Sequence, residues 1–101
     1  MKSWTYKNIE WFYDEDGDLS SWKSPEQLDK GFRLPTINEV LTLLDYDKVP
    51  LLAEQAPFSG IVWTKHFYYK YGDLRINVNL ENGQVYPATQ SNRRTFLLVR
   101  D

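Results

Sequence analysis

Residues 31–40, Gly-Phe-Arg-Leu-Pro-Thr-Ile-Asn-Glu-Val, lead an arginine and a proline turn straight into a capped amphipathic helix. Thr36 is placed to accept the backbone N–H of Glu39, and the Glu39 carboxylate to reach back to the Thr36 amide. This is the reciprocal T-x-x-E box, which satisfies two donors that the first turn of a helix otherwise leaves open. Ile37, Val40, Leu41 and Leu44 then recur at i, i+3, i+4 and i+7, so the spacing predicts a helix over Ile37 to Tyr46 with one apolar face. A helix this short is unstable by itself and needs a sheet to bury that face against.

The strands for such a sheet are supplied by composition. Aromatic residues make up 16% of the 101 positions, with 4 Trp and 7 Tyr, which favours half-buried strands over a helical bundle. A chain of 101 residues has room for one core, so residues 1–101 are expected to form a single domain. No apolar run is long enough to span a membrane and the N-terminus lacks a signal-peptide stretch, so the expected location is cytoplasmic. The absence of cysteine fits that compartment and excludes disulfides, thiolate metal sites and cysteine nucleophiles.

Charge is unevenly spread along the chain. Residues 1–54 carry eleven acids and six bases, residues 55–101 three acids and six bases. Two halves that interleave in one fold would neutralise each other, and this reading is preferred over two separate binding patches. A pI near 5.3 and the lack of a Lys/Arg stripe argue against nucleic-acid binding, which draws its affinity from phosphate neutralisation.

Along the chain, Trp4 to Tyr13 reads as an opening strand closed by the acidic turn Asp14 to Asp18. Ser24 to Gly31 has a capping serine, a proline at the first helical position and a glycine stop, which predicts one or two helical turns. Asp47 to Gly60 reads as a packed loop or a further helical turn. Strands are expected at Ile61 to Tyr69, Leu74 to Leu80 and Gln84 to Ala88. Tyr71-Gly72-Asp73 turns between the first two, and Asn82-Gly83 suits a type I′ turn between the second and third. Thr95 to Arg100 is mostly apolar, as a central strand buried on both faces would be.

Arg33-Leu-Pro-Thr-x-x-Glu39, Trp63-Thr64, the Val-Asn-hydrophobic-x-x-Gly-x-Val pattern across Val78 to Val85, and the terminal Val99-Arg100 together resemble the C-terminal domain of Legionella collagen-like (Lcl) proteins. That bacterial and phage-borne family is similar in fold to C-type lectins, and the resemblance covers about Lys23 to Asp101. It implies an α+β, C-type-lectin-like domain: a twisted antiparallel sheet, one main and one short helix, and paired N- and C-terminal strands. It also implies an adhesive or binding module. Leu97 and Leu98 stand where the family commonly has an arginine and a cysteine, and the first helix is short. Relatives resembling the formylglycine-generating enzyme fold rely on cysteines, so that chemistry has no counterpart here.

Chemical motifs are sparse. Asp14-x-Asp16-x-Asp18 starts like a calcium loop, but its glycine falls at position four and Pro25 occupies position twelve, so it reads as a solvated acidic turn. His66 is the only histidine, leaving imidazole-pair metal sites and most acid/base dyads without a second member. There is no Gly-x-Ser-x-Gly elbow and no Gly-rich phosphate loop. No enzyme activity, metal or cofactor is expected.

The strongest candidate is Trp63 to Tyr71, where strand alternation must send some rings outward. One reading makes Lys65, His66, Tyr68, Lys70 and Tyr71 a contact surface. The other fills the core with Trp63, Phe67 and Tyr69 and lets Tyr68 and Tyr71 cover neighbouring strands; composition does not choose between them. Arg93 and Arg94 enter the last strand and either join that surface or pair with the acidic half. Arg33 is expected to brace its own turn by satisfying loop carbonyls.

The expected function is a non-enzymatic protein-binding module acting sterically, for example a phage or mobile-element inhibitor that occludes a host defence complex. A calcium-independent carbohydrate-binding module, with Trp63 or tyrosines stacking on sugars and Asn77 or Asn79 bonding to hydroxyls, is the alternative. A structural subunit of a homo-oligomer is the third.

Overall fold

A computed structural model describes residues 2–13, 19–20, 31–68, 74–89 and 91–100. Among these residues the strands are β1 (Lys2–Tyr6), β2 (Ile9–Tyr13), β3 (Leu19–Ser20), β4 (Phe32–Arg33), β5 (Ile61–Phe67), β6 (Leu74–Asn79), β7 (Val85–Thr89), β8 (Arg94–Thr95) and β9 (Leu98–Arg100). The helix α1 (Ile37–Leu41) lies between β4 and β5. The architecture is α+β with two sheets, ordered β1-β2-β9-β4 and β3-β8-β5-β6-β7. The acidic turn at 14–18, the helical turns expected over 24–30, and the turn at 71–73 lie outside the described residues.

The opening segment is a hairpin, not one strand. Lys7 and Asn8 both have positive φ (49° and 67°), the backbone of a two-residue type I′ turn, and Tyr6 pairs with Ile9 across it. The second limb, β2, then pairs with the C-terminal β9, so the contact between chain ends runs through β2 instead of β1.

At α1 the capping box forms as its spacing predicts: Glu39 N donates to Thr36 Oγ1 (3.1 Å) and Thr36 N to Glu39 Oε1 (2.7 Å). The helix stops at Leu41, short of the expected Tyr46. Thr42 Oγ1 turns back onto the Glu39 carbonyl (2.6 Å), and Leu43 and Leu44 donate to carbonyls only three residues earlier. This tightening turns Leu43, which lies off the predicted stripe, into the core beside Val40 and Leu44. Leu44 then bridges to Leu52, and Leu51, Leu52 and, further on, Phe58 pack on the core.

Thr95 to Arg100 is also broken. β8 runs parallel to β5 at Val62 and Thr95, and the chain then crosses to the first sheet as β9. Leu97 is buried at the crossing. Along β9, Leu98 joins Phe12, Leu34, Trp63 and Ala88 in one apolar cluster, while Val99 joins Trp11, Val40, Val62 and Leu80 in the other. The centrally buried reading therefore holds for β9. Its final arginine, Arg100, lies over the rings of Phe12 (4.8 Å) and Phe32 (4.6 Å).

The β6–β7 hairpin occurs at Asn82-Gly83, though not as a type I′ turn. Gly83 alone takes positive φ (75°), and the reversal is closed by Gly83 N to Asn79 O (2.7 Å) and Asn79 N to Gln84 O (2.8 Å). Leu80, drawn into the core with its amide bonded to Gly60 O (2.9 Å), lengthens the loop beyond two residues.

Candidate interaction surface

The aromatic strand β5 carries a bulge between Trp63 and Phe67. Trp63 lies opposite Asn77 and Phe67 opposite Arg75, so Thr64, Lys65 and His66 together stand against Ile76 alone. The extra residues are held from two sides. Thr64 Oγ1 donates to Ile76 O (3.0 Å) and accepts from His66 N (3.2 Å), and Lys65 N donates to Pro35 O (2.9 Å). The last bond ties the bulge to the Arg-Leu-Pro-Thr segment.

That segment is itself cross-linked by hydrogen bonds. Arg33 forms a two-bond pair with Glu39, Nη1 to Oε1 at 2.8 Å and Nη2 to Oε2 at 2.9 Å, and Nη1 also donates to the Leu34 carbonyl (3.2 Å). The main described partner of Arg33 is thus a carboxylate, whereas loop carbonyls were expected. The guanidinium bond is the chief cause that holds the Glu39 carboxyl down, from its ordinary 4.5 to about 2, against the opposing effect of burial.

Within the bulge Lys65 is exposed and His66 half-buried; beyond it Phe67 is 56% exposed and Tyr68 half-buried. Phe67 does not fill the core, as one of the two sequence readings had it; Trp63 does, with no exposed surface. The Arg75 guanidinium lies 4.9 Å from the Phe67 ring centroid. Lys70 and Tyr71 lie outside the described residues.

Residues opposite one another in paired strands share a face, so Phe67, Arg75, Asn77 and Trp63 line one side of the second sheet. Asn77 is fully buried. Its amide donates to the carbonyls of Arg75 (3.3 Å) and Tyr86 (3.2 Å), and its Oδ1 accepts from Arg94 Nε (3.1 Å). Arg94 is thereby tied to the sheet yet stays half-buried, its Nη1 donating to the Arg93 carbonyl (3.0 Å). Arg93 is exposed at the other end of β5, where with Ile61, Asn79 and Glu81 it lines a shallow depression of about 330 Å³. The structure therefore does not gather the expected set into one patch: Lys65, His66 and Tyr68 sit at one end of β5, and Arg93 and Arg94 line the depression at the other.

Phe67 and Arg75 are the residues that sequence reasoning missed. A separate concavity of about 430 Å³, lined by Leu52, Ala56, Phe58 and Leu80 among others, adjoins the 50–60 loop. No group of three or more metal-ligating side chains occurs among the described residues, and no helix among them is long and apolar enough to cross a membrane. Compared with known proteins, the chain matches no family model, no curated sequence and no solved structure.

Proposed function

We propose that the protein is a non-enzymatic binding module whose ligand is another protein, contacted through the β5–β6 corner at Lys65, Phe67 and Arg75. The observation that carries this reading is an exposed aromatic ring held on an anchored bulge with a guanidinium stacked against it. An aromatic and an arginine fixed before binding lose little conformational freedom on docking, and such pairs dominate the energetics of protein interfaces. Action would be steric: the corner docks and the rest of the domain occludes, as in a phage- or mobile-element-encoded inhibitor of a host complex. The resemblance to Lcl-type, C-type-lectin-like domains supports a binding role, through Arg33–Glu39, Trp63-Thr64 and Val99-Arg100.

Carbohydrate binding is less well supported by the same geometry. Trp63 has no exposed face to stack on a sugar, the Asn77 amide is used inside the sheet, and Asn79 Oδ1 already accepts from Glu81 N (2.8 Å). Capture from host lysate tests the proposal. Phe67→Ala with Arg75→Ala, checked by circular dichroism for an intact fold, should reduce capture of the partner by about 30-fold or more. Equal capture by wild type and variant would remove this corner as the contact surface.

A further inference from the structure

We infer that the outer edge of β1 pairs with the same edge of a second copy of the chain, two-fold about Trp4. The inference concerns a different sheet from the β5–β6 corner and does not rest on it. The Tyr6–Ile9 pair closes a two-residue turn, so hydrogen-bonded and open pairs alternate outward from it. Lys2, Trp4 and Tyr6 direct their backbone groups to β2, and Ser3 and Thr5 direct theirs to the opposite side. Among the described residues no strand pairs there.

The other sheet edges are blunted. β3 and β4 are two residues long. β7 is five residues long, but Pro87 sits opposite Ile76 at a position whose backbone faces away from β6, where it has no N–H to offer. β1 has five residues and no proline. An edge of this kind is a template for another strand, and natural sheets ordinarily guard against it.

A second copy is the occupant because the edge is self-complementary. Antiparallel pairing requires the outward residues to meet, and the register with most overlap sets Ser3 opposite Thr5′ and Thr5 opposite Ser3′, giving about four backbone hydrogen bonds. Trp4 then faces Trp4′ in an open pair, where side chains approach most closely. Trp4 is already stacked on Tyr6 (centroids 5.1 Å apart, planes 9° apart). The two-fold therefore builds a continuous row Tyr6–Trp4–Trp4′–Tyr6′. Lys2, the one charge on the strand, falls opposite Tyr6′ and not opposite Lys2′, although the Lys7′ ammonium already lies 5.5 Å from that ring centroid.

The contact is small, so the dimer belongs to the weak class and populates at high micromolar to millimolar chain concentration. Sedimentation across that range should show self-association of the wild type. Thr5→Pro removes an outward N–H while leaving the hairpin bonds in place, and should raise the dissociation constant about tenfold or more. If that variant fails to fold, Ser3→Lys with Thr5→Lys sets lysines opposite each other at two exposed positions and should abolish the dimer. Concentration-dependent amide shifts should centre on residues 2–6. A strict monomer into the millimolar range, a dimer indifferent to both variants, or shifts centred on 65–67 would each overturn the inference. Partner capture through Phe67 and Arg75 is read separately, so the two readings fail independently.

Discussion

Glu39→Gln should cost about 2 kcal/mol of folding stability at neutral pH, and the cost should disappear on acidification. The wild-type carboxylate takes both Arg33 bonds (2.8 and 2.9 Å) and the Thr36 amide (2.7 Å). Glutamine can still accept from Thr36, but its amide nitrogen meets an Arg33 nitrogen, donor against donor. The depression of the Glu39 carboxyl from 4.5 to about 2 corresponds through linkage to at most about 3.4 kcal/mol. Water reaches 29% of the Arg33 side chain and 23% of that of Glu39, which screens the pair and brings the expectation to about 2 kcal/mol. For a domain of this size that is roughly a 10 °C loss in Tm.

The sign follows from the folded carboxyl lying below its unfolded value. Its contribution is complete above about 4.5 and is lost as pH falls from there toward 2. Urea denaturation of both proteins across this interval checks it. All other carboxylates are common to the two chains, so the difference between the curves isolates Glu39. A neutral-pH difference under about 0.5 kcal/mol, or one that does not shrink on acidification, would refute the reasoning.

Two further expectations concern the scaffold beside the proposed corner. Thr64→Val preserves shape but leaves Ile76 O and His66 N without their hydroxyl partner, so it should cost about 1–3 kcal/mol and speed hydrogen exchange at His66. Unchanged exchange there would mean that Thr64 does not hold the bulge. Gly83→Ala places a Cβ at positive φ (75°) and 2.6 Å from the Tyr46 ring, and should cost about 1–2 kcal/mol. Because Tyr46 is 60% exposed its ring can swing aside, so in a Tyr46→Ala background only the backbone cost should remain; denaturation of the double variant reads the difference.

The capping box was legible because Thr36 and Glu39 lie within one helical turn, and their chemistry needs nothing from elsewhere in the chain. The C-terminal core strand was legible because Leu98 and Val99 must both be buried if β9 sits between β2 and β4. The N-terminal hairpin was less so: Asn8 tolerates positive φ, but Lys7 beside it is not a usual turn residue, and the tertiary pairing of β2 with β9 holds it there. The early end of α1 escaped periodicity because Thr42 and the Leu44–Leu52 bridge redirect a chain whose apolar spacing continues.

The candidate site divides along the same line. By itself the sequence determined that a strand starting at Ile61 carries the aromatic and basic residues from Trp63 on, that a capped helix begins at Thr36, and that cysteine chemistry is excluded. Only the tertiary structure decided that Trp63 points inward, that Phe67 points outward onto Arg75, and that Asn77 is buried. Period-two alternation puts Trp63 and Phe67 on the same face, as the strand pairing does, but it cannot tell that this face is covered at Trp63 and Asn77 and open at Phe67. That depends on which elements pack over each end of the sheet, and these come from distant parts of the chain: Leu34 and Leu98 join Trp63 in one cluster, and the Pro35 carbonyl, thirty positions from Lys65, lies 2.9 Å from its amide.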